Sequence, residues 1–349
     1  MASTSPLSRS AWVWSSSSWS PVTPANRASV LASDADPDPP TRAPRGKHSD
    51  WREMKATLDN SPRPLAGGLA WPEGPSVLAD GSVVFVETYL SRLSAWRPDG
   101  RVEQYAYTGG GPNATALGGD GYLYVTQNGG VVGPWVAEDR RPGSIQRVSR
   151  QGQVEIIATE IDGIELRAPN DLAFGPDGRL YFTDPGGSYD PDGRPDRGRI
   201  FSLHPGGKGE LIAELDPSYP NGIVVENNGS VVWVESYEGK LKRLGADGEI
   251  REVAQLAPGH APDGLAVADN GSLYVTTTGS GGVDVLSPEG EHAGFVAVGT
   301  VPTNCCFAGS TLYVTDGGHQ GGSASPEYAG VLWAVELEVD GQALFFGSI

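Results

Sequence analysis

One short pattern recurs six times along this chain and constrains its fold more than any other feature. In each copy a proline is followed, within two residues, by Asp, Glu or Asn, and then by an apolar segment of strand length. The residues at this phase are Glu73, Asn113, Asn170, Asn221, Asp263 and Asn304. In the first five copies this residue lies eight positions before a hairpin glycine, namely Gly81, Gly121, Gly178, Gly229 and Gly271. The sixth hairpin is two residues shorter.

The spacing of the hairpin glycines identifies the architecture. Successive glycines are separated by 40, 57, 51 and 42 residues, and each interval contains several short apolar strands and almost no helical periodicity. Repeats of this length, with about four strands each, predict an all-β, six-bladed β-propeller with four-stranded antiparallel blades. We expect the propeller to span residues 51–349, with 330–337 as the third strand of the last blade. Either 343–346 or a segment within 52–66 closes the ring.

Residues 1–50 differ in composition from the rest of the chain. They are rich in Ser, Pro, Ala and Asp, and their short apolar segment at 11–14 is interrupted by serines. Such a sequence is typical of a disordered tail and lacks the apolar core of a secretory signal. The whole chain also lacks any apolar stretch of about 18–20 residues, the length that a membrane span requires.

Charge and cysteine content exclude several classes of partner. The formal net charge of −18 argues against nucleic acid and against anionic membranes, which bind basic surfaces, and it is compatible with a cation ligand. The two cysteines, Cys305 and Cys306, are adjacent on an expected strand, where neighbouring side chains point to opposite faces. We expect free thiols and a reducing, cytoplasmic location.

The six-fold pattern predicts a metal centre on the propeller axis. Equivalent positions of a radial repeat face a common axis, so the six residues should form a ring of oxygen atoms. Two carboxylates and several amides match a hard divalent cation, with Ca²⁺ first, then Mg²⁺ or Mn²⁺; Zn²⁺ normally prefers His or Cys. The expected ligands are Glu73, Asn170, Asn221 and Asp263. Asn113 and Asn304 either hold loops or contact the substrate.

Strand direction places the longest loops beside this ring. The loops 127–143 and 184–198 follow second strands, which return towards the ring, and they account for the two long intervals. We expect them to form a lid or a pocket wall. The expected substrate-binding residues are Asn113, Asn170, Trp135, Tyr237 and His319. The imidazole of His319 is a further acid–base candidate.

A divalent ion at this ring would permit hydrolytic chemistry. It can polarise a carbonyl group and stabilise the resulting oxyanion, while Asp263 acts as the general acid/base, with Glu73 as the alternative base. The sequence has no Gly-x-Ser-x-Gly elbow, phosphate-binding loop or dinucleotide fingerprint.

The combination of these segments resembles the gluconolactonase/regucalcin family of six-bladed propellers (the senescence-marker-protein, SMP-30-like group) over residues 65–337. The resemblance is carried by WPEGP at 71–75, APNDL at 168–172, LYFTDP at 180–185, PNG at 220–222, PDG at 262–264 and TNCCF at 303–307. It implies that Glu73, Asn221 and Asp263 bind metal and that Asp263 is the acid/base. Asn170 matches a position that binds metal or substrate. The regucalcin-like branch of the family has an arginine two residues before that asparagine. In this chain the corresponding residue is Ala168, and the arginine, Arg167, lies one residue earlier.

The expected function is that of a hydrolase acting on a carboxylic ester bond. A metal-dependent lactonase would open a lactone of sugar type, such as gluconolactone, to its hydroxy acid. The alternative is a non-catalytic calcium-binding propeller that binds a protein or a small ligand. The sequence assigns no oligomeric state.

Overall fold

A computed structural model of the protein describes residues 61–319 and 328–349. These residues form six four-stranded antiparallel sheets arranged as a β-propeller, which confirms the predicted fold class. The predicted tail, residues 1–50, and its boundary lie outside the described residues. Helical structure in the described part is limited to a 3₁₀ turn at Thr88–Leu90, and nothing there is long and apolar enough to cross a membrane.

The first three blades follow the chain from the inner strand outwards. Blade 1 contains β2 (Pro72–Val77), β3 (Val83–Glu87), β4 (Arg92–Trp96) and β5 (Val102–Tyr107). Blade 2 contains β6 (Pro112–Leu117), β7 (Leu123–Gln127), β10 (Ser144–Val148) and β11 (Val154–Ala158). Blade 3 contains β14 (Leu172–Phe174), β15 (Leu180–Asp184), β16 (Arg199–Leu203) and β17 (Gly209–Glu214).

The next two blades repeat the same order. Blade 4 contains β18 (Pro220–Val225), β19 (Val231–Glu235), β20 (Lys240–Leu244) and β21 (Ile250–Gln255). Blade 5 contains β22 (Pro262–Val267), β23 (Leu273–Thr277), β24 (Gly282–Leu286) and β25 (His292–Ala297). Two short hairpins lie between blade strands: β8 (Val131–Val132) with β9 (Trp135–Val136), and β12 (Glu160–Ile161) with β13 (Ile164–Glu165).

Blade 6 is assembled from both ends of the propeller. Its strands from the axis outwards are β26 (Pro302–Ala308), β27 (Thr311–Asp316), β28 (Gly330–Glu336) and β1 (Arg63–Leu69). The predicted position of 330–337 as the third strand is therefore confirmed. The ring is closed by the N-terminal segment, which overlaps the 52–66 range and extends three residues beyond it. The segment 343–346 forms no strand.

Apolar side chains fill the spaces between neighbouring blades. One cluster, for example, joins Tyr124 of blade 2 to Phe174, Phe182 and Phe201 of blade 3, with the Tyr124 and Phe174 rings edge to face at 5.2 Å. Strands in these positions are buried on both faces, so they read as continuous apolar runs rather than alternating ones. Burial of these faces positions the inner strands around the axis.

The segment after the last strand covers the end of the axis opposite the acidic and amide residues. Gln342, Leu344 and Phe345 line a cavity of about 140 Å³ there, together with residues from all six inner strands. The chain end is fixed to blade 2, because the Ile349 N–H donates to the Tyr124 hydroxyl at 2.9 Å. Cys305 and Cys306, which line the same cavity, are free thiols as predicted.

Leu69→Ala tests the closing strand. Leu69 is buried in the cluster of Val83, Phe85 and Leu332, so its truncation removes apolar contacts across the closure. We expect the free energy of unfolding in guanidinium chloride to fall by about 2–4 kcal/mol. The matched control, Leu344→Ala, removes a side chain that is 54% exposed and should cost about 0.5 kcal/mol. Equal effects of the two substitutions would contradict this closure.

Candidate functional site

Five of the six residues at the recurring phase line one cavity on the propeller axis. This axial cavity has a volume of about 270 Å³, and the five residues are Glu73, Asn113, Asn170, Asn221 and Asp263. The sixth, Asn304, lines the cavity at the opposite end, together with Asp171. The repeat therefore brings the predicted ligands together, as its phase required, and separates Asn304 from them.

Hydrogen bonds between neighbouring blades fix the orientation of these side chains. The Asn113 amide donates to Asn170 Oδ1 at 2.8 Å, and the Asn221 amide donates to Asp263 Oδ1 at 2.7 Å. The Asn304 amide instead donates to both carboxylate oxygens of Asp171, at 2.9 and 3.0 Å. The Asn304 carbonyl oxygen also accepts from the Cys305 N–H at 2.8 Å, and a further hydrogen bond between Asn304 and Glu73 lowers the pKa of Glu73.

Hydroxyl groups connect the inner strands into a closed circuit around the axis. From each blade, one Thr or Ser hydroxyl donates to a backbone carbonyl of the next blade, close to the residue at the recurring phase. The six bonds run from Thr88 to Pro112, Thr126 to Asn170, Thr183 to Asn221, Ser236 to Pro262, Thr276 to Thr303 and Thr303 to Pro72. We call this set the hydroxyl circuit.

A second row of polar side chains holds the segment that precedes each inner strand. Each of these side chains is buried and belongs to the last residue of the second strand in one of four blades. It accepts a hydrogen bond from a backbone N–H group just before the proline of the recurring pattern. In three blades the donor is the residue that directly precedes the proline, and in blade 1 it is one residue earlier. The bonds are Ala70 N–H to Glu87, Gly111 N–H to Gln127, Ala168 N–H to Asp184 and Val301 N–H to Asp316. Gln127 and Asp184 are the first residues of the two loops that were expected to form a lid or a pocket wall, and their own hydrogen bonds are to the backbone.

The residues before the six prolines form a collar above the predicted ligands. They are Trp71, Gly111, Ala168, Tyr219, Ala261 and Val301, and all except Gly111 line the axial cavity. Trp71 and Tyr219 have φ angles of 58° and 56°, in the left-handed region. For bulky residues this conformation costs about 1–3 kcal/mol each, and such strain is typical of functional sites.

One tripeptide illustrates how position in the repeat determines a glycine's role. Pro-Asp-Gly occurs at 262–264 beside the axis and at 176–178 in a hairpin. A Cβ at Gly264 would lie 2.5 Å from the Asn304 Cα, so glycine is required there for close approach of the next blade. Gly178 has no such contact but has a φ of 76°, which the turn requires.

The two long loops meet over the cavity, as their length predicted. Val131, Val132 and Gly133 line it from one loop, and Ser188 and Tyr189 from the other. The loops are joined by a hydrogen bond of 2.7 Å from the Gly133 N–H to Ser188 Oγ. They form a roof over the axial residues.

The other three predicted substrate contacts, Trp135, Tyr237 and His319, are not among the residues that line the cavity. The Trp135 ring packs against Tyr89 at 5.1 Å and anchors the first loop. The Tyr237 hydroxyl accepts from the Asp190 N–H at 2.8 Å, and its ring packs against Tyr189 and Tyr219. His319, the last described residue before 328, is not among the lining residues. Asn128, in the first long loop, also lines the cavity.

Three carboxylates lie near one another without a cationic side chain among them: Glu73 and Asp171 are buried, and Asp263 is half-buried. Burial, followed by the charges of Asp263 and Asp171, raises the pKa of Glu73 well above its ordinary value. Burial and the charge of Asp171 likewise raise the pKa of Asp263, which the hydrogen bond from Asn221 opposes. Burial raises the pKa of Asp171 to about 7. Close buried acids of this kind favour either protons or a bound cation.

The donor set fits a hard cation. Glu73 Oε2 is buried and has no hydrogen-bond partner in the described part of the chain, so one carboxylate oxygen is available to a ligand. Asp263, Asn170 and Asn221 supply further oxygens around the same cavity. Carboxylate and amide oxygens are the ligands that Ca²⁺ and Mg²⁺ prefer. No group of three or more His, Cys, Asp or Glu side chains suited to a metal occurs within 61–319 and 328–349, so amides are needed to complete any such site.

Comparison with known proteins shows that most of this chain is similar to one protein family. Residues 71–317 match the model of the SMP-30/gluconolactonase/LRE-like region. A gluconolactonase of Zymomonas mobilis is 27% identical over 282 residues, which cover 72% of this chain and 77% of the relative.

Solved structures share the architecture. A gluconolactonase from Xanthomonas campestris superimposes with a TM-score of 0.65 at 23% identity, covering 80% of this chain and 90% of that one. A calcium-binding regucalcin from Agrobacterium tumefaciens gives 0.67 at 19% identity, covering 83% and 98%. At these identities the two structures support the fold alone.

Thr183→Val tests the hydroxyl circuit. Thr183 Oγ1 donates to the Asn221 carbonyl at 2.9 Å and accepts from the Asp171 N–H at 3.0 Å, and all of these groups are buried. Valine has the same shape but leaves both backbone groups unpaired, so we expect a loss of about 2–4 kcal/mol in unfolding free energy. Thr311→Val, which removes only an exposed contact with Glu336, is the control and should cost less than about 1 kcal/mol. Similar losses would contradict a structural role for the circuit.

Asp171→Asn tests the raised pKa of Asp171, because this pKa makes the stability of the protein depend on pH. Because the folded pKa of Asp171 is about 7 and its ordinary value is 3.8, the folded state retains a proton that the unfolded chain releases between these pH values. The unfolding free energy therefore falls as pH rises through this window, by up to about 1.4 kcal/mol per unit. In EDTA, we expect the Tm of Asp171→Asn minus the Tm of the unsubstituted protein to increase as the pH is raised from 4.5 to 8. The exposed control Asp269→Asn should show a constant difference; a constant difference for both would refute the assignment.

Proposed function

The chain belongs to the SMP-30/gluconolactonase/LRE-like family, and from this membership and the geometry of the axial cavity we propose that it is a metal-dependent lactonase. The observation that supports this most strongly is the convergence of Glu73 and Asp263 on one cavity, with a buried, unpartnered oxygen on Glu73.

The proposed metal ligands are Glu73, Asn170, Asn221 and Asp263. When bound, a divalent cation at this place supplies a Lewis acid that polarises the lactone carbonyl. Ca²⁺ is the first candidate on ligand chemistry, with Mg²⁺, Mn²⁺ and Zn²⁺ as alternatives to be separated by experiment. The pair Asn113–Asn170 orients the amide oxygen of Asn170, and Asn113 also borders the substrate space.

Asp263 is the proposed general acid/base. Its Oδ1 is held by Asn221 at 2.7 Å, so the carboxylate has one fixed orientation in the cavity wall. It accepts a proton from the attacking water as the oxygen of that water bonds to the lactone carbonyl carbon. It then donates the proton to the ring oxygen as the ring C–O bond breaks, which yields the hydroxy acid.

The surroundings of the site support this role. The roof formed by the two loops limits access of bulk water, and the hydroxyl circuit fixes the backbone that carries each polar side chain. The free thiols of Cys305 and Cys306 support action in a reducing compartment, the cytoplasm.

Asp263→Asn is the direct test. The variant should keep its Tm within a few degrees and lose about 10²–10⁴-fold in kcat, the contribution of general acid–base catalysis. Activity is measured by acid release from lactones after chelation and reloading with Ca²⁺, Mg²⁺, Mn²⁺ or Zn²⁺, and the metal content of each variant is determined by mass spectrometry. Asp269→Asn serves as the matched control. Near-normal turnover by Asp263→Asn would refute the assignment, and silence of the metal-loaded protein across the lactones would favour the non-catalytic alternative.

A further inference from the structure

The axial cavity has two chemically different zones. Its floor contains the carboxylates and amides of the proposed metal centre. Its walls and roof are formed largely by apolar and aromatic side chains: Trp71, Val131, Val132, Tyr189, Tyr219 and Val301. Among the described lining residues there is no Lys, Arg or His. A ligand in this cavity therefore meets polar groups at one end and apolar surface around the rest.

Three of the polar groups in the walls are engaged by the protein itself. Thr88 donates to the Pro112 carbonyl at 2.9 Å, and Ser188 accepts from the Gly133 N–H at 2.7 Å. Asn128 Oδ1 accepts from the Gly130 N–H at 2.9 Å. These bonds hold loops and inner strands in place. A polyhydroxylated ligand would have more hydroxyls than this surface has unengaged polar partners, and each hydroxyl left without a partner is unfavourable.

The arginine next to the collar in sequence points away from the cavity. Arg167 adjoins the collar residue Ala168, but its guanidinium pairs with Asp196 at 2.7 Å and its side chain is 56% exposed. The pair belongs to the outer side of the second loop. Ala168 itself presents only a methyl group to the cavity.

The backbone is strained to place two aromatic residues in the walls. Trp71 and Tyr219 precede the inner strands of blades 1 and 4, which lie opposite each other in a six-bladed ring. Both have left-handed φ angles that glycine would adopt without strain. Each is supported by further rings, Tyr89 behind Trp71 and Tyr189 beside Tyr219. A fold that retains strain at two opposed positions indicates that the aromatic surfaces are used there.

We propose that the natural substrate is a lactone with an apolar alkyl or aryl substituent, held between Trp71 and Tyr219, rather than a polyhydroxylated sugar lactone. This inference rests on the proposed lactonase function and specifies its substrate class. The lactone group occupies the polar floor beside Asp263, and the substituent contacts Val131, Val132 and Tyr189 under the roof.

A series of six-membered lactones tests the proposal on the full-length, metal-loaded protein. The probes are δ-valerolactone, δ-octanolactone, δ-decanolactone and glucono-δ-lactone, with each kcat/KM divided by the uncatalysed hydrolysis rate. We expect the ratio to rise about four-fold for each added methylene until the cavity is filled. The ratio for δ-decanolactone should exceed that for glucono-δ-lactone at least ~100-fold, in line with the loss when hydroxyls remain unpaired.

The possible results separate this inference from the function on which it rests. Metal-dependent hydrolysis of δ-valerolactone or glucono-δ-lactone without any rise along the alkyl series would overturn the inference and leave the lactonase assignment intact. If none of the four probes is hydrolysed, both this inference and the lactonase assignment are overturned.

Two valines on the same hairpin provide a matched pair of variants. Val132 lines the cavity, whereas Val136 does not and is 54% exposed. Val132→Ser should lower the preference for δ-decanolactone over δ-valerolactone about five- to ten-fold, because apolar contact with the substituent is lost. Val136→Ser should leave this preference unchanged. Equal effects of the two substitutions, in proteins with unchanged Tm, would contradict the proposal; Tyr189→Ser is the second wall variant if Val132→Ser fails to fold.

Discussion

The interaction on which the site depends is the hydroxyl circuit that links each blade to the next. Apolar packing holds neighbouring blades together, but such packing is non-directional and tolerates small shifts of one strand against another. The hydroxyl–carbonyl bonds are directional and lie within a few residues of every side chain on the axis. They fix the position of each inner strand along the propeller axis relative to its neighbours. Side chains from different blades can therefore meet at one point.

Polar pairs and buried charges then determine what this frame can hold. The amides of Asn113 and Asn221 each bind a side chain of the next blade, which leaves particular oxygens of Asn170 and Asp263 in the cavity. Carboxylates that are buried without cationic partners would ordinarily destabilise the fold. Their retention is understandable if a cation or a proton compensates for them during the working cycle. The same hydrogen bonds that hold the side chains at the axis therefore also determine which oxygen atoms are available to a ligand.

Much of this could be predicted from the sequence because repetition reports on geometry. A residue that recurs at one phase of a radial repeat must lie at one height near the axis, which is why Glu73, Asn221 and Asp263 were expected together. Loop length likewise predicted which loops form the roof. Repetition does not report side-chain direction, however: Asn304 shares the phase, yet its amide donates to Asp171 and it lines the second cavity rather than the first. The left-handed φ of Trp71 had no signal in the sequence, whereas the hydroxyl residues near the ends of the second strands did recur visibly.

The composition of blade 6 has a consequence for how the protein is made. Strand β1 leaves the ribosome first among the propeller strands, but its partner β28 lies more than 260 residues later in the chain. Until then the backbone groups of β1 along that edge have no partner, and an unpaired strand edge can pair with other chains. Closing so long a loop also delays the final contact. Blades 1 to 5 can therefore assemble during synthesis, whereas the circle itself becomes complete only after translation has nearly ended.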